Sequence, residues 1–137
     1  MPSTKIDLNH NKIARIQGLD ELTVLFFPGN RNHRKIFLAI FIELKYAPHG
    51  FLATLTPLCE KYGFSKRSME TVRSKMRRMG IIDHVSRFNK AYGYREGWVF
   101  SSRFKRALIL LSELIEEFKV RKGELQERKD RDLFLYT

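Results

Sequence analysis

Two helix-forming segments joined by one tight glycine turn constrain this chain more than any other feature. Thr56 followed by Pro57 pairs an N-cap residue with a first-turn proline. The helix so opened runs to Tyr62 and stops at Gly63, a residue suited to the left-handed C-cap. Phe64 intervenes, Ser65 is a second N-cap, and the next helix runs to Met79 with Gly80 as its stop. The connection is too short to let the two helices part, so their apolar faces must share one core.

The flanking segments supply the other walls of that core. Pro28-Gly29-Asn30 is a strong break, after which Asn30 or Asn32 caps a helix through about Tyr46. Ile36, Phe37, Ile40, Phe41 and Leu44 keep to one helical face and Pro48 ends the run, which predicts a central core helix. Upstream, residues 1–19 are polar and read as a loosely held arm or short helix. Asp20 is a candidate cap for Glu21 to Phe27, whose periodicity does not separate helix from strand. Gly50 to Thr54 is short and extended in character.

Downstream, Ile81 to Val85 reads as a strand and Trp98-Val99-Phe100 as its return. Between them Arg87 to Gly97 forms a polar loop rich in Lys, Arg, Tyr and Gly, so the unit is a hairpin with a long basic tip. From Ser102 a long helix runs to about Arg121, with Gly123 as a break. The tail, 124–137, is charged and ends in an apolar cluster, Leu133 to Tyr136, that predicts a docking contact.

Charge is distributed very unevenly over these pieces. The 137 residues carry a net charge of +11, which alone says little beyond solubility. Residues 61–106 hold thirteen Lys and Arg against three acidic side chains, Glu70, Asp83 and Glu96. Residues 1–60 are close to balanced and 107–137 carry a net of −1. A polyanion-binding surface in the middle third follows.

Other classes are excluded. Eleven Phe and 43% apolar residues rule out disorder throughout. Cys59 is the single cysteine, so an internal disulfide is impossible; it reads as a small core residue on the inner side of its helix, in the reducing interior of a cell. No apolar run approaches the roughly 20 residues of a membrane span, and Met1 to His10 lack the pattern of a secretory signal. His10, His33, His49 and His84 fall at no metal-ligand spacing, so no metal and no cofactor are expected. Glu116-Glu117 and Asp130-Asp132 sit on an exposed helix face and in the tail, and no GxGxxG, GxxxxGK or GxSxG string occurs. The chain does not read as an enzyme.

Helix, short strand, helix, tight turn, helix, strand, loop, strand is the order of a winged helix-turn-helix. Over Arg34 to Phe100, and most closely in LTPLCEKYGFSKRSMETVRSKMRRMGIIDHV and RFNKAYGYREGWVF, the chain resembles the winged helix-turn-helix DNA-binding superfamily, including small prokaryotic and archaeal regulators of the MarR and ArsR groups. The resemblance implies a mainly α fold with a small β-hairpin wing (α+β) and a long C-terminal helix. It also implies a recognition helix over 65–79 and a basic wing over 86–97.

Helical angles give that reading physical content. At 100° per residue Met69, Val72, Met76 and Met79 share the inner face, while Arg67, Glu70, Ser74 and Arg78 centre the outer one. Base-edge candidates near the helix start are Arg67, Glu70, Thr71 and Ser74, because Arg forks onto guanine and Glu accepts from cytosine. Lys66, Arg73, Lys75, Arg77 and Arg78 are phosphate candidates. In the wing, Arg87, Lys90 and Arg95 would reach the flanking backbone or minor groove, with Tyr92 and Tyr94 as packing or sugar contacts.

Phe104, Leu108, Leu111, Ile115 and Phe118 recur at spacings of four and three, a coiled-coil-like stripe flanked by Ala107, Leu110 and Leu114. It either folds back on the chain or forms a two-fold homodimer seam; the dimer is the expectation, and terminal helices of such regulators commonly dimerise. Two recognition helices roughly 34 Å apart would then address a palindromic site. The organisation expected is an arm or short helix over 1–29, a DNA-binding domain over 30–101, and a dimerisation helix and tail over 102–137. The expected protein is a sequence-specific transcriptional regulator of double-stranded DNA, cytoplasmic and nucleoid-associated, with no membrane partner. Two alternatives use the same basic face. One is a less specific architectural, replication or RNA-binding protein, and the other a protein–protein interaction module with an acidic partner.

Overall fold

The computed structural model describes residues 6–137. Residues 1–5, which belong to the arm over 1–29 and to the Met1 to His10 stretch, lie outside the described residues. The described chain divides into two compact units, one ending at Ser102 and one from Arg103 to Thr137.

In the first unit α1 (His10–Ala14) is a single exposed turn, capped by Asn9, whose side chain accepts from the Lys12 N–H. The ambiguous segment that follows is a helix, α2 (Leu19–Phe26). Asp20, the candidate cap, is not the cap: Gly18 holds that position, and Asp20 lies inside the first turn, where its negative charge suits the helix dipole. Phe26 and Phe27 are buried against Phe37, ring centroids 5.6 and 5.8 Å apart. The end of the 1–29 segment is therefore part of the core rather than a loose arm.

Helix α3 (Arg31–Lys45) opens where Asn30 accepts from the His33 N–H at 3.0 Å. Arg34 reaches back to donate to the carbonyls of Phe27 and Pro28, which holds the turn between α2 and α3. Ile36, Phe37, Ile40 and Leu44 are fully buried, and Phe41 packs its ring on Phe100 at 4.8 Å. The core closes over α3 with Leu55, Met69, Val72, Met76 and Ile82, all without solvent exposure.

A 3-10 turn at Pro48–Gly50 leads into β1 (Phe51–Leu52), and α4 (Pro57–Tyr62) follows. Thr56 is helical in φ and ψ and makes no side-chain cap, contrary to the expectation; its N–H instead meets the Thr54 hydroxyl at 3.3 Å. Gly63 does take the left-handed cap, with φ +73° and its N–H donating to the Cys59 carbonyl. Ser65 then accepts from the Ser68 N–H at 3.1 Å and opens α5 (Lys66–Arg78).

Strands β2 (Ile82–Val85) and β3 (Gly97–Phe100) form the hairpin, and β1 adds to the free edge of β3. The result is a three-stranded antiparallel sheet in the order β1-β3-β2, with Phe51 opposite Val99, Leu52 opposite Trp98 and His84 also opposite Trp98. Three crowded positions, Phe51, Val85 and Val99, make a second small core that Tyr92 covers. The fold is mainly helical with a small sheet, of α+β class.

The second unit holds α6 (Arg103–Lys119) and α7 (Glu124–Leu133), separated at Gly123 with φ +107°. The charged tail is thus helical over its first part, with Glu124 and Glu127 in the first turn and Arg131 in the last, the order the helix dipole favours. Leu133 to Tyr136 stay between 63% and 87% exposed. Among the described residues no helix is long and apolar enough to cross a membrane.

Candidate nucleic-acid interface

Helix α5 is divided sharply by burial. Met69, Val72 and Met76 are fully buried on one side, while Lys66, Arg67, Glu70, Thr71, Ser74, Arg77 and Arg78 are exposed on the other. Met79, expected on the inner face, closes the helix as its C-cap and is only half-buried. The buried side fixes the rotation of the helix, so the exposed side chains project from a rigid element rather than from a loop. Of the four base-edge candidates, Thr71 has already committed its hydroxyl proton, donating to the Arg67 carbonyl at 3.0 Å. Its oxygen lone pairs remain to accept from a base.

The two remaining cations of this helix point elsewhere. Lys75 is half-buried, its ammonium 5.6 Å from the centre of the Phe27 ring and close to His33. Burial first, and the Lys75 charge second, hold the His33 imidazole below the usual histidine range. Arg73 is also half-buried and turns towards the sheet, with its guanidinium carbon 5.1 Å from the centre of the Trp98 ring. Arg77 approaches the same ring at 6.0 Å.

The hairpin loop sorts its residues in the same manner. Tyr92, in a 3-10 turn at Lys90–Tyr92, is half-buried and stacks on Phe51, so it anchors the loop to the sheet. Arg95 lies over Phe51 at 4.5 Å and donates from Nε to the Tyr92 carbonyl, which folds it back on the loop. Arg87, Lys90, Tyr94 and Phe88 are exposed, and Phe88 reaches 78% exposure beside the Arg87 guanidinium.

Where α5 faces the sheet, a cleft of about 460 Å³ opens between Arg73, Ser74 and Arg77 on one side and His84, Glu96 and Trp98 on the other. His84 Nε2 stands 3.4 Å from a Glu96 carboxylate oxygen and meets Trp98 edge-on at 4.9 Å. The meeting of Trp98 and His84 at this cleft is not readable from the sequence. Trp98 read only as a strand residue, and all of Gly97, Trp98 and Val99 are buried, so no alternation marked the face it presents. The pairing of His84 with Trp98 becomes legible only once the hairpin register is known.

Lys61, counted in the basic third, is structural. It donates to Glu43 Oε1 at 2.6 Å, and the Tyr62 hydroxyl donates to the same oxygen at 2.6 Å, tying α4 to α3. The Lys61 bond first, then the Tyr62 bond, hold the Glu43 carboxyl below its usual range. Cys59 is half-buried on α4. Among the described residues no group of three His, Cys, Asp or Glu side chains could hold a metal ion.

Scans against protein-family models, curated proteins and solved structures match nothing to this chain, so its geometry and chemistry carry the functional reading.

Proposed function

We propose that the chain is a winged helix-turn-helix protein that binds double-stranded DNA sequence-specifically and regulates transcription. Helix α5 is its recognition helix, set in the major groove, and the loop between β2 and β3 is its wing. The observation that carries this reading is the division of α5. A helix with one face wholly buried presents Arg67, Glu70, Ser74 and Arg78 together on a rigid outer face within the most basic third of the chain. Arg67, Glu70, Thr71 and Ser74 read base edges; Lys66, Arg77 and Arg78 hold phosphates, and Arg87 and Lys90 extend the contact along the flank.

The α6 stripe of Phe104, Leu108, Leu111, Ile115 and Phe118 is the seam of a homodimer in this reading. No residue of α6 is buried, and its apolar side chains from Leu108 to Leu111 stand 41–57% exposed. An apolar face of this width on a helix calls for a cover, and a second copy supplies one of matching period. Two-fold symmetry then places two recognition helices on a palindromic site.

Selection of bound duplexes from a random pool tests the reading. Enrichment of a palindromic sequence is expected. A pool that stays random while binding tightly would indicate a non-specific nucleic-acid binder, and a pool that is not bound would remove DNA as the partner.

A further inference from the structure

We propose that the cleft between α5 and the β2–β3 hairpin is a phosphate site in which Arg73 and Arg77 are the ligands and Trp98 is their seat. The two arginines lie one helical turn apart and share one aromatic ring, at 5.1 and 6.0 Å. Each guanidinium carries five N–H donors in a planar fork, more than a single protein partner uses, and a fork of this kind matches the oxygens of a phosphate. Ser74 adds a hydroxyl at the rim of the cleft.

Charge and access decide the class of ligand. Glu96 is the one carboxylate lining the cleft, against the two permanent cations Arg73 and Arg77, so the lining favours an anion. Trp98 is only 8% exposed, roofed by the arginines and edged by His84, so no nucleobase can stack on its face. What the cleft offers is a set of charged forks, not a stacking platform. A volume of about 460 Å³ holds a phosphate group with part of the molecule to which it is esterified.

Two sources carry this chemistry: the backbone of bound DNA, and a free phosphate or phosphomonoester. The first rests on the DNA-binding reading; the second does not. Trp98 is the only tryptophan of the chain, so its fluorescence reports on this cleft alone. The full-length protein is titrated with inorganic phosphate at constant ionic strength maintained with sodium chloride. In parallel it is titrated with a short duplex and with the same duplex carrying uncharged methylphosphonate linkages. A saturable change in Trp98 emission with inorganic phosphate assigns a free phosphate as the source. A change with the ordinary duplex, absent with inorganic phosphate and with the uncharged duplex, assigns the DNA backbone.

In either case the Arg73→Gln and Arg77→Gln variants should bind at least about tenfold more weakly, the loss of one charge-assisted hydrogen bond. Arg73→Lys with Arg77→Lys, which keeps the cations over the ring and removes the forks, should weaken binding as well while preserving the fold. Trp98 emission that is unmoved by phosphate and by duplex, or responses undiminished in the lysine variant, would overturn the site. Duplex binding seen by anisotropy with unmoved Trp98 emission would sink the site and leave the DNA reading standing.

Discussion

Leu52 and Gly97 approach so closely across the β1–β3 pair that a β-carbon on Gly97 would stand 2.5 Å from the Leu52 carbonyl oxygen. The same atom would meet the Phe51 ring at 2.5 Å. Neither the strand backbone nor a ring already stacked with Tyr92 yields cheaply. Gly97→Ala should therefore destabilise the chain by about 1–3 kcal/mol, the usual range for overpacking. Urea denaturation followed by circular dichroism measures it; an unchanged midpoint would show that β1 and β3 are not held this tightly.

Much of this fold is legible in the sequence because its signals are local. Asn30, Gly63 and Ser65 cap as their chemistry dictates, since each bond is made to a residue three or four positions away. The inner face of α5 follows from helical period alone. What escaped was non-local. Phe26 and Phe27 join the core through a turn that Arg34 fixes from α3. At the candidate site, the outer-face residues Arg67, Glu70 and Ser74 are readable from spacing. The turn of Arg73 towards Trp98 is not, because it depends on how far the sheet stands from α5.

Glu43 offers a pH test of the α3–α4 junction. Its carboxyl titrates below the usual range in the folded chain, from the Lys61 bond first and the Tyr62 bond second. A depressed carboxylate stabilises above its unfolded pKa, near 4.5, and that contribution is lost as pH falls through the lower folded value. Glu43→Gln keeps the shape and removes the charge. Its melting temperature should drop at neutral pH and fall less steeply than the wild type's on acidification below pH 4.5. Parallel acid limbs in the two proteins would contradict the assignment.

His33 carries the complementary case. Burial and then Lys75 hold its folded pKa below the ordinary 6.5. The unfolded chain thus takes up the proton first, so the stabilisation from a neutral His33 is present above 6.5 and is lost as pH falls through that value towards the folded one. Lys75→Met removes the smaller cause and keeps the packing on Phe27. In an NMR titration of the imidazole C–H signals, His33 should shift part of the way back up. No movement in the variant would mean that Lys75 lies outside its field.

Leu111 lies at the middle of the α6 stripe, 52% exposed. A charge there would be buried in the proposed two-fold seam, so the wild-type chain should sediment as a dimer and Leu111→Glu as a monomer in sedimentation velocity runs. The helical signal should be retained. A wild-type chain that sediments as a monomer at all concentrations would remove the seam and with it the palindrome.

The central claim is that the outer face of α5 binds duplex DNA, and fluorescence anisotropy of a labelled duplex across a salt series tests it most directly. The duplex is the one enriched by selection, with a random duplex beside it. The account predicts that log affinity falls linearly with log salt, as released counterions require. Arg67→Ala should lose about tenfold or more on the selected duplex, with little change on the random one, since a bidentate base contact is worth about 1–3 kcal/mol. Lys66→Ala should weaken both alike and flatten the slope by about one. Affinity that is independent of salt, or that both substitutions leave unchanged in folded protein, would contradict the account.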